Sequence, residues 1–345
     1  MIDGARLVEY LSASLDGARV ALAEPPAPVS GGFDTQIYAL RLVGVPPSLS
    51  GPLILRVMAP YYDPRRALRE QAIQNALADQ GYPAPRAPLA SADPTILGAG
   101  FLIMERLPGR PLLATRRLGM ARVLVRAQRR LHSLDPGPVL KAIEAAVPGS
   151  GREHTLDGQL AQYERRVARG ALLGLAPALG WLRANRPAME RASVVCHGDF
   201  HPQNILVDDR LELTGVIDWP NMMIAERECD VADSRVILRY APVEVTGVPR
   251  SMRWLVRAAR LALVSRYMKG QRRAVPLHGP SLRYYEALGC MRGFLRVAEQ
   301  RVLAARGGTT LSRIDASNFG ERLAHRFARL TGVRPVLPPI KGPSK

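Results

Sequence analysis

Lysine is scarce in this chain of 345 residues. Lysine and arginine together number 48, but the lysines are only Lys141, Lys269, Lys341 and Lys345. No lysine therefore precedes residue 141. Any positive charge with a chemical role in the first third of the chain has to come from another side chain, and arginine is the one that binds phosphate well.

Cysteine and long apolar runs are also lacking. The three cysteines, Cys196, Cys229 and Cys290, are odd in number and widely spaced, which argues against a disulfide framework or a zinc site. Residues 1–17 contain no long apolar run, so no secretory signal is visible. No segment reaches the roughly 18 to 20 apolar residues that a membrane span needs. We therefore expect a globular, cytoplasmic protein without a membrane span.

Acidic side chains are few in residues 235–345. Five carboxylates stand there against 22 lysines and arginines, so most of the formal net charge of +18 lies in this last third. The arginines are spread out and do not form a run, which favours a solvated helical surface. Such a field can still attract anionic substrates, membrane surfaces or nucleic acid. With only 6% aromatic residues, the chain lacks an aromatic-interleaved basic patch, which argues against nucleic acid.

The segment 194–220, VVCHGDFHPQNILVDDRLELTGVIDWP, has the clearest pattern in the chain. Short apolar runs separated by Gly, Pro and Asp predict strand, polar loop, strand, turn and strand. Two carboxylates and an amide then lie at strand edges around one hairpin: Asp199, Asn204 and Asp218. A loop rich in such residues is also ordinary turn chemistry, so the pattern gains its meaning from the strands around it.

The spacing of these residues indicates phosphoryl transfer. The segment matches the pattern His-x-Asp-x-x-x-x-Asn with His197, Asp199 and Asn204. Asp218 stands at the end of the last predicted strand of the segment. In nucleotide-dependent transfer, the first Asp orients the acceptor hydroxyl or takes its proton, and the Asn and second Asp hold Mg²⁺. Magnesium prefers hard oxygen ligands and is often held by one or two protein groups together with phosphates and water.

The segment resembles the signature of the aminoglycoside phosphotransferase and choline kinase-like family, in HGDFHPQNIL followed by VIDW. Members of this family are small-molecule kinases with a protein-kinase-like fold. The resemblance implies Asp199 as catalytic base and Asn204 and Asp218 as Mg²⁺ ligands, with His197 and His201 in support. It implies ATP or GTP as phosphoryl donor and a small hydroxylated molecule as acceptor. It covers most of residues 25–240 and is strongest at the hairpin.

The resemblance also implies a phosphate-binding loop ahead of a strand, with three candidate nucleotide-binding residues: Gly31, Gly32 and Thr35. A Gly-rich turn can bring backbone N–H groups close to phosphates. This loop lacks the full G-x-G-x-x-G pattern, and a plain hairpin turn would look the same in sequence.

Arg56 stands alone as a charge in the apolar strand Pro52 to Met58, and burying a charge without a partner is costly. Kinases place a lysine here that binds the nucleotide phosphates and pairs with a helix Glu. Arg56 is the candidate for that role, and the resemblance implies Glu70 as its partner. The alternatives are an Arg on the exposed face of an edge strand and a merely polar helix position at Glu70.

The strand 101–105 and the Pro-Gly segment after it resemble the hinge of the family. The resemblance implies that backbone groups of Glu105 and Leu107 contact the nucleotide base. Farther on, Asp233 matches the Asp with which relatives brace the catalytic loop. The usual Gly-Asp-Pro start is absent, and Asp230 competes for that role.

We expect a two-lobed α+β, protein-kinase-like fold. Residues 1–106 form a small antiparallel sheet with one main helix, residues 107–332 form a mainly helical lobe with the catalytic hairpin and substrate-binding helices, and residues 333–345 form a loose Pro-rich tail. Within the second lobe, the pattern predicts one long helix over 113–134 and a mobile loop over 136–155. Further helices are expected at 160–173, 177–185, 251–268, 281–305 and 318–330.

The expected activity is transfer of the γ-phosphoryl group of a nucleoside triphosphate to a hydroxyl of a small molecule. Because carboxylates are few near the expected acceptor pocket, a macrolide-like antibiotic or a neutral or anionic metabolite fits better than a polycationic aminoglycoside. The aminoglycoside stays an alternative, because the segment 135–190 could supply four further carboxylates: Glu144, Glu153, Asp157 and Glu164. Two other functions remain open: an inactive nucleotide-binding scaffold, and a basic nucleic-acid or membrane-surface binder. The catalytic triplet at the hairpin argues against the scaffold, because binding alone needs no base.

Overall fold

The structure is a computed structural model that describes residues 2–29, 35–115, 117, 119–188, 191–242, 250–305 and 318–340. The strands are β1 Ala21–Leu22, β2 Ala27–Pro28, β3 Thr35–Leu40, β4 Leu42–Val43, β5 Leu53–Met58, β6 Leu89–Ser91, β7 Phe101–Glu105, β8 Arg110–Pro111, β9 Ser193–Cys196, β10 Ile205–Val207, β11 Leu213–Val216 and β12 Met223–Glu226. The helices are α1 Gly4–Ser14, α2 Arg66–Asp79, α3 Pro94–Leu97, α4 Leu112–Thr115, α5 Met120–His132, α6 Pro136–Ala146, α7 Leu156–Arg169, α8 Ala176–Ala184, α9 Arg227–Tyr240, α10 Arg253–Ala274, α11 Gly279–Ala305 and α12 Phe319–Thr331.

The chain divides into two compact units, each assembled from three segments. The first unit contains Met1–Arg116, Leu134–Gly151 and Gln203–Pro220, and the second contains Arg117–Ser133, Arg152–Pro202 and Asn221–Lys345. The segment 194–220 is divided between the units, with the loop around Asp199 in the second unit and the strands that follow it in the first. The lobe boundary expected after residue 106 stays a prediction.

The first unit is built on an antiparallel sheet in the order β2-β3-β5-β7-β6. Strand β5 is central and buried on both faces. Leu53, Leu55 and Val57 pack into a core with Leu7 and Leu11 of α1. Because side chains alternate along a strand, the residues between them face the other side, where Met58 packs with Ala67 of α2. Arg56 belongs to this second face, which is why it can reach α2.

Hairpin β10-β11 also lies in the first unit, with Ile205 opposite Val216 in the antiparallel register. Strand β8 pairs with the other edge of β10. The strands predicted at 205–207 and 213–217 therefore form as expected. Since the register places Asn204 and Ile217 at the next position along the hairpin, Asn204 and Asp218 emerge at the same end of it.

The second unit is mainly helical. Helix α10 packs against α5 and α9, and α11 packs against α9 and α12. The two-stranded sheet β9-β12 carries the loop that follows Cys196. Within the described ranges, no helix combines the length and apolar character required to cross a bilayer. In the C-terminal segment expected to be loose, the Val336 amide donates to the Gly174 carbonyl at 2.9 Å.

Two secondary-structure predictions in the helical region are wrong. The helix predicted over 113–134 is divided into α4 and α5, and α5 begins after Gly119, whose φ of 121° is strained for any residue with a side chain. The loop predicted over 136–155 contains α6. Asp135 caps that helix by accepting a hydrogen bond from the Gly137 amide at 2.8 Å, and Pro136 occupies the first turn, where proline is tolerated. Burial of Val139 and Ile143 on the side facing α2 then stabilises it.

Candidate active site

A buried ion-pair cluster stands at the centre of the first unit. The Arg56 guanidinium donates through Nη1 to Glu70 Oε1 at 2.9 Å and through Nη2 to Asp218 Oδ1 at 2.7 Å. Glu70 also accepts a hydrogen bond from Gln74 one turn later on α2. Burial alone would lower the pKa of Arg56, but the charges of Glu70 and Asp218 raise it above its ordinary value. Arg56 is therefore a fixed, permanently charged group and not a solvated surface arginine.

Asp218 adopts an unusual backbone conformation. Its φ is 73°, in the left-handed region that residues with a side chain seldom occupy, although Asp tolerates it better than most. The following residue, Trp219, is fully buried and donates from its indole to the Val216 carbonyl at 2.9 Å. It also meets the Tyr82 ring edge-on at 5.8 Å between centroids. Packing of Trp219 thus stabilises the turn that aims the Asp218 carboxylate toward Arg56.

Asn204 lies at the start of β10 and is buried. Its carbonyl accepts a hydrogen bond from the Ile217 amide at 3.0 Å, which ties the two ends of the hairpin together beside Asp218. An amide oxygen and a carboxylate are hard oxygen donors and fit a magnesium ion that also binds nucleotide phosphates. Among the described residues, no group of three or more His, Cys, Asp and Glu side chains could hold a metal ion alone.

A further cation, Arg66, belongs to the same cluster and was not predicted. It lies one turn before Glu70 on α2, and its guanidinium carbon is 4.5 Å from the centroid of the Tyr62 ring. Burial lowers the pKa of Arg66, and the charge of Arg56 lowers it further, while Tyr62 and Glu70 oppose the shift. The available sequence signal was the position of Arg66 four residues before Glu70, because side chains at this spacing are neighbours on a helix.

In the second unit, the loop after β9 carries Asp199. Gly198 has a φ of 74°, and a Cβ at this position would collide with the Asn221 carbonyl, so only glycine fits. The Asp199 amide donates to His197 Nδ1 at 3.2 Å, and His201 Nε2 lies 3.4 Å from Asp199 Oδ1. Burial would raise the pKa of Asp199, but its hydrogen bond to His201 and that residue's charge lower it to about 2.

The backbone N–H and C=O groups of Gly198 are both bound by side chains of the helical region. Asp230 on α9 accepts a hydrogen bond from the Gly198 amide at 3.0 Å. Arg292 on α11 donates to the Gly198 carbonyl and pairs with Asp233 at 2.7 Å. Asp230, the competing candidate, therefore contacts the loop directly, whereas Asp233 acts on it through Arg292. This arrangement fixes the turn that presents Asp199.

Asp230 is itself oriented by two side chains of α5. Gln128 Nε2 donates to Asp230 Oδ2 at 2.9 Å, and His132 Nε2 lies 3.0 Å from the same oxygen. Burial would raise the pKa of Asp230, but its hydrogen bond with His132 lowers it. Gln128 also accepts hydrogen bonds from Tyr267 and Gln271 of α10. Gln128 and Arg292 belong to no local pattern, so the sequence did not predict their roles.

The remaining predicted residues lie as follows. Gly31 and Gly32 fall outside the described residues. Thr35 begins β3 opposite Met58. The Glu105 amide donates to the Arg86 carbonyl at 2.8 Å, so a contact of Glu105 with a nucleotide base would have to use its carbonyl. Leu107 follows β7 and packs beside Gly215 of β11.

The shifted pKa of Asp199 predicts a pH dependence of stability. A carboxyl with a folded pKa of about 2, against an ordinary value of 3.8, stabilises the fold above pH 3.8 and loses that contribution as pH falls toward 2. We expect the difference in free energy of unfolding between wild type and Asp199→Asn to shrink by about 1 kcal/mol from pH 5 to pH 3. Urea denaturation at both values measures it, and a difference independent of pH would contradict the shifted pKa.

Comparison with known proteins shows the family of the chain. The model of the phosphotransferase enzyme family matches residues 27–267. The chain belongs to this phosphotransferase family. Aminoglycoside 3'-phosphotransferase of Streptomyces fradiae is 33% identical over 162 residues, which are 44% of this chain and 57% of the relative. Acyl-CoA dehydrogenase family member 10 of Mus musculus is 28% identical over 179 residues, 48% of this chain but 16% of the relative. The chain thus spans less than two thirds of the length of these curated relatives.

Solved structures of phosphotransferases share the fold. A Ralstonia eutropha protein assigned as an aminoglycoside phosphotransferase superposes with a TM-score of 0.62 at 17% identity, over 96% of this chain and 99% of that one. Aminoglycoside phosphotransferase APH(4)-Ia, solved with AMP-PNP and hygromycin B, superposes with a TM-score of 0.54 at 15% identity, over 94% and 98% of the two chains. At such identities the likeness shows the fold alone. The expected kinase-like α+β fold is confirmed.

Proposed function

We propose that this phosphotransferase moves the γ-phosphoryl group of ATP or GTP to a hydroxyl group of a small molecule. The observation that carries the proposal is that the buried Arg56 contacts both the buried Glu70 and the half-buried Asp218. A structural ion pair would need one carboxylate. Here the second carboxylate stands on a strained backbone beside a buried amide, and such strain is typical of functional sites.

In this proposal Arg56 and Arg66 bind the phosphates of the donor, and Asn204 and Asp218 hold Mg²⁺. When bound, the ion neutralises charge on the phosphates. Asp218 is engaged by Arg56 in the structure, so loading of the donor has to exchange part of this ion pair for contacts with phosphate and metal. The planar guanidinium suits the exchange, because it can bind carboxylate and phosphate oxygens in the same two-pronged geometry.

Asp199 orients the acceptor hydroxyl in this proposal. A carboxylate with a pKa of about 2 is too weak a base to remove the proton of an alcohol before reaction. It takes the proton as the new O–P bond forms and the bond between the γ-phosphorus and its bridging oxygen breaks, which releases the nucleoside diphosphate. Because the transition state of phosphoryl transfer is loose, Asp199 contributes mainly by positioning.

The charges of the helical region favour a neutral or anionic acceptor. Asp157 pairs with Arg186 at 2.7 Å, and Glu164 pairs through both oxygens with Arg183. The described acids beyond residue 235 are likewise in ion pairs with arginine: Glu286, Glu299 and Glu321. Glu144 differs, because it accepts hydrogen bonds from the Gly149 and Gly151 amides and has no cation as partner among the described residues. Few carboxylates thus remain to bind the several charges of a polycationic aminoglycoside. We therefore propose a macrolide-like antibiotic, or a hydroxylated metabolite without several positive charges, as the acceptor.

A phosphoryl-transfer screen tests the proposal. The panel contains aminoglycosides, macrolides, neutral polyols and hydroxy acids with their coenzyme A thioesters, each with ATP and with GTP. We expect acceptor-dependent release of nucleoside diphosphate, together with a product heavier by one phosphoryl group in mass spectrometry. If an aminoglycoside is the preferred acceptor, the argument from charge is overturned, but the proposed phosphoryl transfer is not. Tight nucleotide binding without transfer to any class would instead support the scaffold.

The proposed metal site leads to a prediction for Asp218→Ala. This substitution removes the anionic ligand and leaves only the neutral Asn204, so nucleotide affinity in the presence of Mg²⁺ should fall by at least tenfold, about 1.4 kcal/mol. Affinity measured in EDTA should change far less. Asp209→Ala is the matched control, because Asp209 lies on the same hairpin but is exposed and pairs with Arg110. Equal losses with and without Mg²⁺ would remove Asp218 from the metal site.

A further inference from the structure

A basic groove lies in the second unit, between the C-terminal halves of α9 and α10. It encloses a cavity of about 550 Å³. The residues that line this basic groove are Arg235, Arg239, Leu261, Val264, Ser265, Met268, Lys269, Arg272 and Arg273. Five of these side chains are cationic and none is acidic. A cavity of this size accommodates a small organic molecule.

Most of the positive charge in the basic groove is uncompensated. Arg235 pairs with Glu286 at 3.1 Å, but Glu286 is already bound through both oxygens by Arg326. The four other cations are exposed and form no ion pair with any described residue: Arg239, Lys269, Arg272 and Arg273. Like charges held this close repel one another, and a bound anion would relieve that repulsion.

The positive charge near the basic groove also affects the pKa of a neighbouring arginine, Arg260. Arg260 on α10 donates to the carbonyls of Leu238 and Ala241 at the end of α9. Burial lowers the pKa of Arg260, and the charges of Arg322 and Arg239 lower it further, to about 10. The positive charge around the end of α9 therefore exceeds what the described carboxylates neutralise.

The floor of the basic groove is apolar. Leu261, Val264 and Met268 are spaced three and four residues apart, so they form one stripe along α10. Val264 and Met268 are buried, whereas Leu261 remains partly exposed at the mouth. Cations around an apolar floor are complementary to a molecule that has an anionic end and an apolar body.

The basic groove is separate from the part of α9 that supports the catalytic loop. An α-helix turns about 100° per residue, so Arg235 lies about 200° around α9 from Asp233. Arg239 lies about 180° from Asp230 by the same count. The face that holds Gly198 and the face that lines the basic groove are therefore opposite faces of α9. A ligand in the groove would not occupy the place of the hydroxyl acceptor at Asp199.

We propose that the basic groove is a second binding site, which takes a phosphate-bearing small molecule with an apolar portion. The arginines and Lys269 contact the phosphate oxygens, and the apolar stripe of α10 contacts the body of the ligand. Arginine binds phosphate oxygens in a two-pronged geometry, which gives such a site selectivity over monovalent anions.

Isothermal titration calorimetry at fixed ionic strength tests this site with two probes, inorganic pyrophosphate and geranyl diphosphate. We expect saturable binding of both, and at least tenfold tighter binding of geranyl diphosphate because its chain covers the apolar stripe. Lys269→Glu/Arg272→Glu should weaken binding of both probes at least tenfold. The matched control, Arg257→Glu/Arg266→Glu, changes the charge of α10 equally at exposed positions outside the groove, and should alter affinity by no more than about threefold.

An Arg56→Ala arm separates this site from the proposed donor site, because probe affinity for the groove should survive that substitution. No donor or acceptor is present, so the result does not depend on phosphoryl transfer. Equal weakening by both double variants, loss of binding in an Arg56→Ala protein that thermal unfolding shows to be folded, or absence of saturation in wild type would each overturn the proposal. If Arg56→Ala does not fold, Arg66→Ala takes its place in this arm. So would saturable binding of a DNA duplex, lost in the groove variant, in place of the small probes.

Discussion

Asp199→Asn should retain nucleotide binding and the fold while lowering turnover by roughly two to four orders of magnitude, the range expected when general acid–base catalysis is lost. Asparagine has nearly the same shape, so the Gly198 peptide should stay bound to Asp230 and Arg292. It cannot accept the proton of the acceptor hydroxyl. Steady-state kinetics with the best acceptor of the screen, together with calorimetric nucleotide affinity, measure the two parts of this prediction.

The control for this experiment is Asp209→Asn, which makes the same chemical change at an exposed position. Turnover of Asp199→Asn near the wild-type rate, with an intact fold, would mean that Asp199 is not the base. If nucleotide affinity fell together with turnover, Asp199 would belong to the donor site and not to the acceptor site.

Arg56→Ala should raise the KM for the nucleotide and lower kcat together. Both effects follow because Arg56 would place the phosphates in the ground state and neutralise charge in the transition state. Arg56→Lys should restore only part of the loss, since a lysine cannot form two parallel hydrogen bonds. Glu70→Ala should show a milder version, and the double variant should be little worse than Arg56→Ala, as expected for residues that act as one unit.

Stability has to be measured alongside these kinetics, because removal of Arg56 leaves Glu70 buried without its cation. Breaking one side of a buried pair typically destabilises a protein by about 3–5 kcal/mol. Melting temperatures and unfolding curves identify any variant that fails to fold, and Arg56→Lys keeps the charge where Arg56→Ala does not. Arg86→Ala is the matched control, since Arg86 forms an exposed pair with Asp79 in the same unit. If both kinetic constants survive in Arg56→Ala, Arg56 does not bind the donor. The phosphates would then be held by Arg41, an exposed residue that follows β3, or by the backbone of the predicted phosphate-binding loop at Gly31 and Gly32.

Local patterns predicted the elements of the candidate site well. Short apolar runs bounded by turn residues identified the strand at 101–105 and the hairpin at 205–217, because such runs are typical of buried strands. A single charge in an apolar strand identified Arg56, and its pairing with Glu70 followed from the family resemblance. The contact of Arg56 with Asp218 was not predicted, because it joins residues 162 positions apart.

The errors have physical causes beyond the local sequence. The helix predicted over 113–134 is interrupted at Gly119, because the φ angle of this residue is not helical. That angle is visible only in the folded chain. The loop prediction over 136–155 rests on VPGSG at 147–151, whereas an N-cap and packing against α2 make the preceding residues helical. Arg292 could not be found at all, since a residue on α11 meets Gly198 only after the helices have packed.

The choice of arginine at position 56 has a consequence for chemical labelling. Where kinases carry lysine, the amine can lose its proton and attack an electrophile placed on a nucleotide analogue. The Arg56 guanidinium stays protonated, and Glu70 and Asp218 raise its pKa further. The sole lysine of the first unit, Lys141, is exposed on α6. Acylating probes that modify a nucleotide-site lysine should therefore leave this site unmodified and mark Lys141 without protection by nucleotide.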